Sequence, residues 1–269
     1  IQLSGNIDSL VWDNAIFRDI SLEGEVYGKR FKGKLVSTDK RAAINATVAG
    51  DFETAIPILD LDINLHCVDL RSFGWASRPT HSCGRMVSHS EGLSLDTLKA
   101  NVRIEKLDLQ YDTVHIQPGD MVLDISLDQR QNRLEINSDW LKGEIKGYFS
   151  LTDLPETVSN IFEQYFVVDR TVYVPRVSSD SVSLQLDFLQ PEILTTGLIP
   201  GLTELAPLHL EGSLIGQRNY FNLQIQAPRI GYMDWVVDSM NVRSYAGDSS
   251  ALFVLTTPKV KKGKEDFIE

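Results

Sequence analysis

Cysteine is nearly absent: Cys67 and Cys83 are the only two among 269 residues. That excludes a disulfide-dense small scaffold. It leaves open both a single bridge in an oxidising compartment and two free thiols. No apolar run approaches the ~18–20 residues of a membrane-spanning helix, and no signal peptide is visible. Positive charge is in deficit, with 26 Lys+Arg against 37 Asp+Glu and a net charge of −11. Such a chain is repelled by nucleic acid and by anionic membrane surfaces, so no nucleic-acid partner is expected. The GxSxG elbow, the P-loop, the dinucleotide-binding glycine run and the HExxH helix are all missing. No catalytic residue, metal or cofactor is therefore expected.

What is present is alternation with a period of two. Ile20, Leu22, Gly24 and Val26 share one side, opposite Ser21, Glu23 and Glu25. Ile44, Ala46, Val48 and Gly50 repeat the pattern, as do Leu59, Leu61, Ile63 and Leu65 against Asp60, Asp62 and Asn64. Leu98, Ala100, Val102 and Ile104 follow, then Met121, Leu123, Ile125 and Leu127. Further on come Leu141, Gly143, Ile145, Gly147 and Phe149, then Val182, Leu184, Leu186 and Phe188, and finally Phe221, Leu223 and Ile225. One dry and one wet face per strand predicts antiparallel sheet. Short linkers such as YGKR, STDK, QPGD and GQRN predict hairpins joined as a meander.

Several segments break the period. DLPETVSNIFEQYF (153–166) predicts a helix capped by Asp153, with an apolar stripe from Val158 to Phe166. QPEILTTGLIPGL (190–202) predicts a shorter helix. Arg71–Glu91 fits no period and predicts a long irregular loop. His81, Cys83 and His89 in that loop, with His66 and Cys67 before it, are zinc-ligand types, but their spacing matches no usual zinc pairing. Asp60 and Asp62 share a face, and a solvated acidic surface explains them better than a glycosidase pair. The tryptophans are scattered, which favours packing over sugar binding. Lys259, Lys261, Lys262 and Lys264 read as a solvated tail rather than as a small contact for an anionic surface.

Glycine recurs inside the strands in LEGEVYG (22–28), LKGEIKG (141–147) and LEGSLIG (210–216). In the last, Leu210, Gly212 and Leu214 fall on one side. The glycines lie on the dry face, where a packed sandwich would favour Val, Ile or Leu. They predict gaps in the lining at Gly24, Gly143 and Gly212 and a sharply curved sheet. Ile1, Leu3, Gly5 and Ile7 already alternate at the first residue, so the chain reads as a segment of a longer polypeptide.

The stretch from Leu186 to Arg243 runs through a Pro-Gly exit at Pro200–Gly201, LEG at Leu210–Gly212 and IGY at Ile230–Tyr232. With the hairpins of FRDISLEGEVYGKRFKGKL (17–35), it resembles the bacterial TamB/AsmA-like envelope proteins of the Bacteroidota type. The resemblance covers most of the chain, least in Arg71–Glu91, and rests on pattern rather than on an active-site motif. It implies a single elongated β-groove or β-taco with an apolar interior, in a periplasmic protein anchored in the inner membrane by a segment outside this chain. It also implies phospholipid acyl chains as cargo and a BamA/TamA-like outer-membrane barrel as partner. The competing reading is a β-sandwich that binds carbohydrate or protein.

Overall fold

The computed structural model describes residues 1–12, 15–76, 79–94, 97–111, 114–128, 131–150, 181–195, 201–218, 220–247, 250–263 and 265–268. Of the described residues, 77% lie in strands, so the chain is mainly β. The strands form an antiparallel meander that no described pairing closes into a barrel. Contacts divide the chain into two compact units, Ile1–Ile125 and Ser126–Glu269.

Unit 1 runs β1 (Gln2–Trp12), β2 (Ala15–Tyr27), β3 (Arg30–Ser37), β4 (Ala42–Asp51), β5 (Ile58–Asp69), β6 (Thr80–Glu91), β7 (Lys99–Tyr111) and β8 (Val114–Ser126). From β1 to β7 each strand pairs with the next in antiparallel register. Side chains bridge β7 to β8: Asn101 donates to Asp124 (2.6 Å) and Gln117 donates to Asp108 (3.1 Å).

The expected loop at Arg71–Glu91 is corrected. From Thr80 onward it is a paired strand, and among the described residues before it the 3₁₀ turn Leu70–Phe73 and 74–76 are irregular. Ser88 and Ser90 take up positions on the otherwise apolar face, which hid the alternation of β6.

A crease crosses unit 1. Asp19 in β2 (φ 54°), Cys67 in β5 (φ 91°), Gly84 in β6 (φ 149°), Lys106 in β7 (φ 51°) and Gly119 in β8 (φ 78°) all leave the strand conformation. The register of β4 with β5 shifts between Ala42 and Ile44 on the same line. Bulges aligned in this way bend every strand at one level and raise the local twist. The core of the unit sits at this bend: Ala15, Phe17, Ile20 and Ala42 are buried, with Ile7, Leu35, Ile44 and Phe73 packed on them. Phe73 stacks on Phe17 (4.6 Å) and Trp75 on Phe73 (5.2 Å), so the 3₁₀ turn covers one end of the sheet.

Unit 2 runs β9 (Asn132–Ser138), β10 (Leu141–Tyr148), β11 (Ser181–Phe188), β12 (Leu202–Leu205), β13 (Leu208–Ile215), β14 (Tyr220–Tyr232), β15 (Trp235–Gly247), β16 (Ser250–Thr256), β17 (Lys259–Lys262) and β18 (Glu265–Ile268). The pairing order is β9–β10–β11–β13–β14–β15–β16. β12 continues the line of β13 along β14, and β17 continues the line of β16 along β15. Prolines mark the breaks. Pro207 lies between β12 and β13, Pro228 opposite Ser239 (φ 52°), and Pro258 between β16 and β17. Lacking an N–H, proline leaves a ladder bond unmade and bends or ends the strand.

The helix expected at 153–166 lies outside the described residues. Of that expected at 190–202, the described residues show helix at Glu192–Thr195 and strand from Leu202, and 196–200 lie outside the described residues. The basic tail is corrected too: Lys259, Lys261 and Lys262 belong to β17.

Candidate functional site

Residues directly opposite on paired strands share a face, so the registers define rows. In unit 1 one row runs Gly24–Gly33–Val48–Leu61–Ser88–Val102, and the next runs Leu22–Leu35–Ala46–Ile63–Met86–Ile104. Val26 and Leu65 lie on the same face through Phe31 and Ile44. Leu123 and Ile125 alternate with Asp124, whose carboxylate is engaged on the polar side by Asn101. In unit 2 the rows are Ile145–Leu184–Gly212–Leu223 and Gly143–Leu186–Leu210–Ile225. Leu214 joins the buried cluster of Phe149, Val182, Phe221 and Ala246. The predicted lining residues thus fall on one face within each unit. Leu22 and Val26 remain 40% and 37% exposed there.

The glycines behave differently from expectation at two of three positions. Gly24 does leave a gap, since a Cβ there would meet only the Lys32 carbonyl oxygen, at 3.5 Å. Gly143 is covered: a Cβ would lie 2.3 Å from Leu186 Cδ2 and 2.7 Å from the Gln185 oxygen. Gly212 is covered by Leu223 Cδ1 (3.3 Å) and the Asn222 oxygen (2.9 Å). Phe31 likewise lies over Gly50, its register partner. These glycines are sockets for a large cross-strand neighbour, the arrangement by which a bulky side chain shields a bare backbone. The gap reading survives at Gly24, next to Gly33 on β3.

The opposite face is charged. Arg85 binds Asp62 through Nε (2.9 Å) and Nη2 (2.7 Å) and reaches Glu105 (3.5 Å). The hydrogen bond from Arg85 holds the Asp62 carboxyl below its ordinary range. Asp60 is bound by His89 Nδ1 (2.6 Å). The two carboxylates of the glycosidase-like pair are thus held by different partners. In unit 2, Lys146 (3.0 Å) and Arg133 (2.6 Å) depress the Glu144 carboxyl. Asp187, at 2.6 Å, raises the pKa of His209.

Cavities open on this polar face. One of about 580 Å³ in unit 1 is walled by Glu23, Glu25, Lys32, Lys34, Asp60 and His89. One of about 360 Å³ in unit 2 is walled by Glu144, Lys146, Gln185, Glu211 and Asn222. Sequence alternation identified the polar face but not these hollows, which depend on how the sheet bends.

Cys67 and Cys83 form a disulfide. This removes both thiols from the donor set of His66, Cys67, His81, Cys83 and His89. The described residues contain no group of His, Cys, Asp and Glu arranged to hold a metal ion. Among the tryptophans, Trp75 stacks on Phe73, Trp140 lies 6.3 Å from Phe188, and Lys262 sits over Trp235. Comparison with protein-family models, curated proteins and solved structures finds no match.

Proposed function

We propose that the apolar face of these sheets carries phospholipid acyl chains. On this reading the chain is a non-enzymatic segment of a TamB/AsmA-like envelope protein that moves lipid between the inner and outer membranes or assists outer-membrane protein assembly. The observation that carries the reading is the set of apolar rows running strand to strand within each unit, with Leu22 and Val26 exposed beside the gap at Gly24. A face of this kind holds acyl chains by non-directional contact and lets them slide, while headgroups stay in water. The periplasm, an anchor elsewhere in a longer chain and an outer-membrane barrel partner of the BamA/TamA type complete the proposal.

The test is photocrosslinking in cells. A photoreactive residue at Leu22 or Ile145 should capture phospholipid, and one at Glu23 or Lys146 should not. Equal capture from both faces, or from neither, would sink the proposal.

A further inference from the structure

At one end of unit 2 the β14–β15 hairpin turns in two residues, Met233 and Asp234, with Tyr232 and Trp235 paired across its mouth. Met233 has φ 54°, a conformation that glycine, asparagine or aspartate ordinarily supplies in a two-residue turn. It is also 65% exposed, beside Tyr232 at 46% and Trp235 at 36%. Turn chemistry does not account for a methionine here, and neither does packing.

The tip is held in place. The Met233 N–H donates to the Gly201 oxygen (2.6 Å), and the Gly263 N–H donates to the Asp234 oxygen (2.8 Å). Gly201 lies under the tip, where a Cβ would stand 3.1 Å from the Tyr232 ring and 3.4 Å from Met233 Cγ.

β17 brings basic residues beside this apolar tip. Lys262 pairs with Trp235, Lys261 with Val236 and Lys259 with Asp238. Lys262 Nζ stands 5.0 Å over the Trp235 ring. In a chain of net charge −11, this is a local concentration of lysine next to exposed Trp, Tyr and Met.

We propose that this hairpin tip and β17 together bind the interface of an anionic lipid bilayer. Trp and Tyr favour the boundary between headgroup and acyl chain, because each ring is apolar with one polar end. Methionine adds a flexible apolar contact, and lysines at the rim meet lipid phosphates. Stacking of a sugar on Trp235 suits the geometry less well, because Lys262 already occupies the space over that ring. Asp234 at the turn and Asp238 opposite Lys259 offset part of the positive charge. The preference for anionic lipid is therefore modest, about fivefold over a neutral bilayer. This docking surface is independent of the acyl-carrying face proposed above.

The test is co-sedimentation of the full chain with vesicles of phosphatidylcholine, alone or mixed with phosphatidylglycerol. The wild type should bind the mixed vesicles and bind neutral ones several-fold more weakly. Met233→Asn suits the turn and should fold at least as well, yet bind about threefold more weakly. Lys261→Gln with Lys262→Gln should erase the preference for phosphatidylglycerol. Failure of the wild type to bind either vesicle, or unchanged binding by Met233→Asn, overturns the proposal. Lipid capture at Leu22 should be unaffected by Met233→Asn in detergent-solubilised protein, which separates this proposal from the one above.

Discussion

In unit 1 the crease is held by a covalent bond and a buried charge. The Cys67–Cys83 disulfide joins β5 to β6 on the crease line. Asp39, almost fully buried, accepts from the backbone N–H of Arg18 (2.9 Å) and of Arg41 (2.8 Å) beside the bend at Asp19. Arg41 also donates to the Ile16 carbonyl oxygen and lies over the Phe17 ring. In unit 2 the corresponding line is held by Pro207, Pro228 and Pro258, and the Thr257 hydroxyl bridges the carbonyls of Asp238 (2.7 Å) and Lys259 (3.1 Å). The apolar faces differ in parallel. Unit 1 leaves Gly24 open beside the exposed Leu22 and Val26, while unit 2 covers Gly143 and Gly212 with leucines and buries Phe149 and Phe221, with Phe253 and Leu255 exposed on β16. A single strand pattern thus leaves one glycine open, Gly24, and covers others, Gly50 in unit 1 and Gly143 and Gly212 in unit 2. The deciding residue is the one opposite each glycine.

The sharpest way to break this comparison is to add one methyl group to each unit. At Gly147 a Cβ would lie 1.9 Å from the Ser181 carbonyl oxygen, and φ is 148°. Gly147→Ala should cost about 3 kcal/mol or more through strain and overpacking. Gly24→Ala meets open space and should stabilise by about 0.5 kcal/mol, since a strand glycine carries an entropic cost that alanine does not. Urea unfolding of both variants measures the contrast; equal effects would erase the distinction between an obstructed glycine and an open one. Next in size is the disulfide, which closes a loop of sequence separation 16. Cys67→Ser with Cys83→Ser should lower stability by up to about 3 kcal/mol. Hydrogen exchange should rise in β5 and β6 and stay unchanged in unit 2.

The strand class, the meander and the membership of the apolar face were legible from alternation, because side-chain direction in a strand has a period of two. Ile145, Leu184 and Leu223 fall together for that reason alone. The covered state of Gly143 was not legible, because it depends on register: Leu186, far along the chain, happens to stand opposite. The crease in unit 2 was signalled by prolines within alternating segments, at Pro207, Pro228 and Pro258. In unit 1 the signal was partial: QPGD (117–120), expected as a hairpin linker, is instead the bend at Gly119 within β8, and Asp19, Cys67 and Lys106 adopt positive φ without being glycine. Arg71–Glu91 misled because Ser and His on β6 mask its period, and the Phe73 and Trp75 that follow β5 are a separate covering turn.

Smaller effects test how each unit anchors its charges. Burial alone would raise the Asp39 carboxyl, but the backbone donors of Arg41 and Arg18 and the Arg41 guanidinium outweigh it and hold it below 3.8. A depressed folded pKa means that stability is present above the unfolded value and lost as pH falls through the folded one. Asp39→Ala should therefore cost about 2 kcal/mol at neutral pH, and its difference from wild type should shrink below pH 3.8. His209 in unit 2 runs the other way. The Asp187 hydrogen bond is the main cause that raises its pKa above 6.5, with Glu211 (3.7 Å) adding to it. A raised folded pKa means that the stabilisation is complete below pH 6.5 and disappears as pH rises through the folded value. The pair is partly exposed, so the effect is only about 0.5 kcal/mol. His209→Gln should lower the melting temperature slightly at pH 6 and leave it unchanged at pH 9. A difference that persisted at pH 9 would mean that His209 acts through packing between β11 and β13 rather than through its charge.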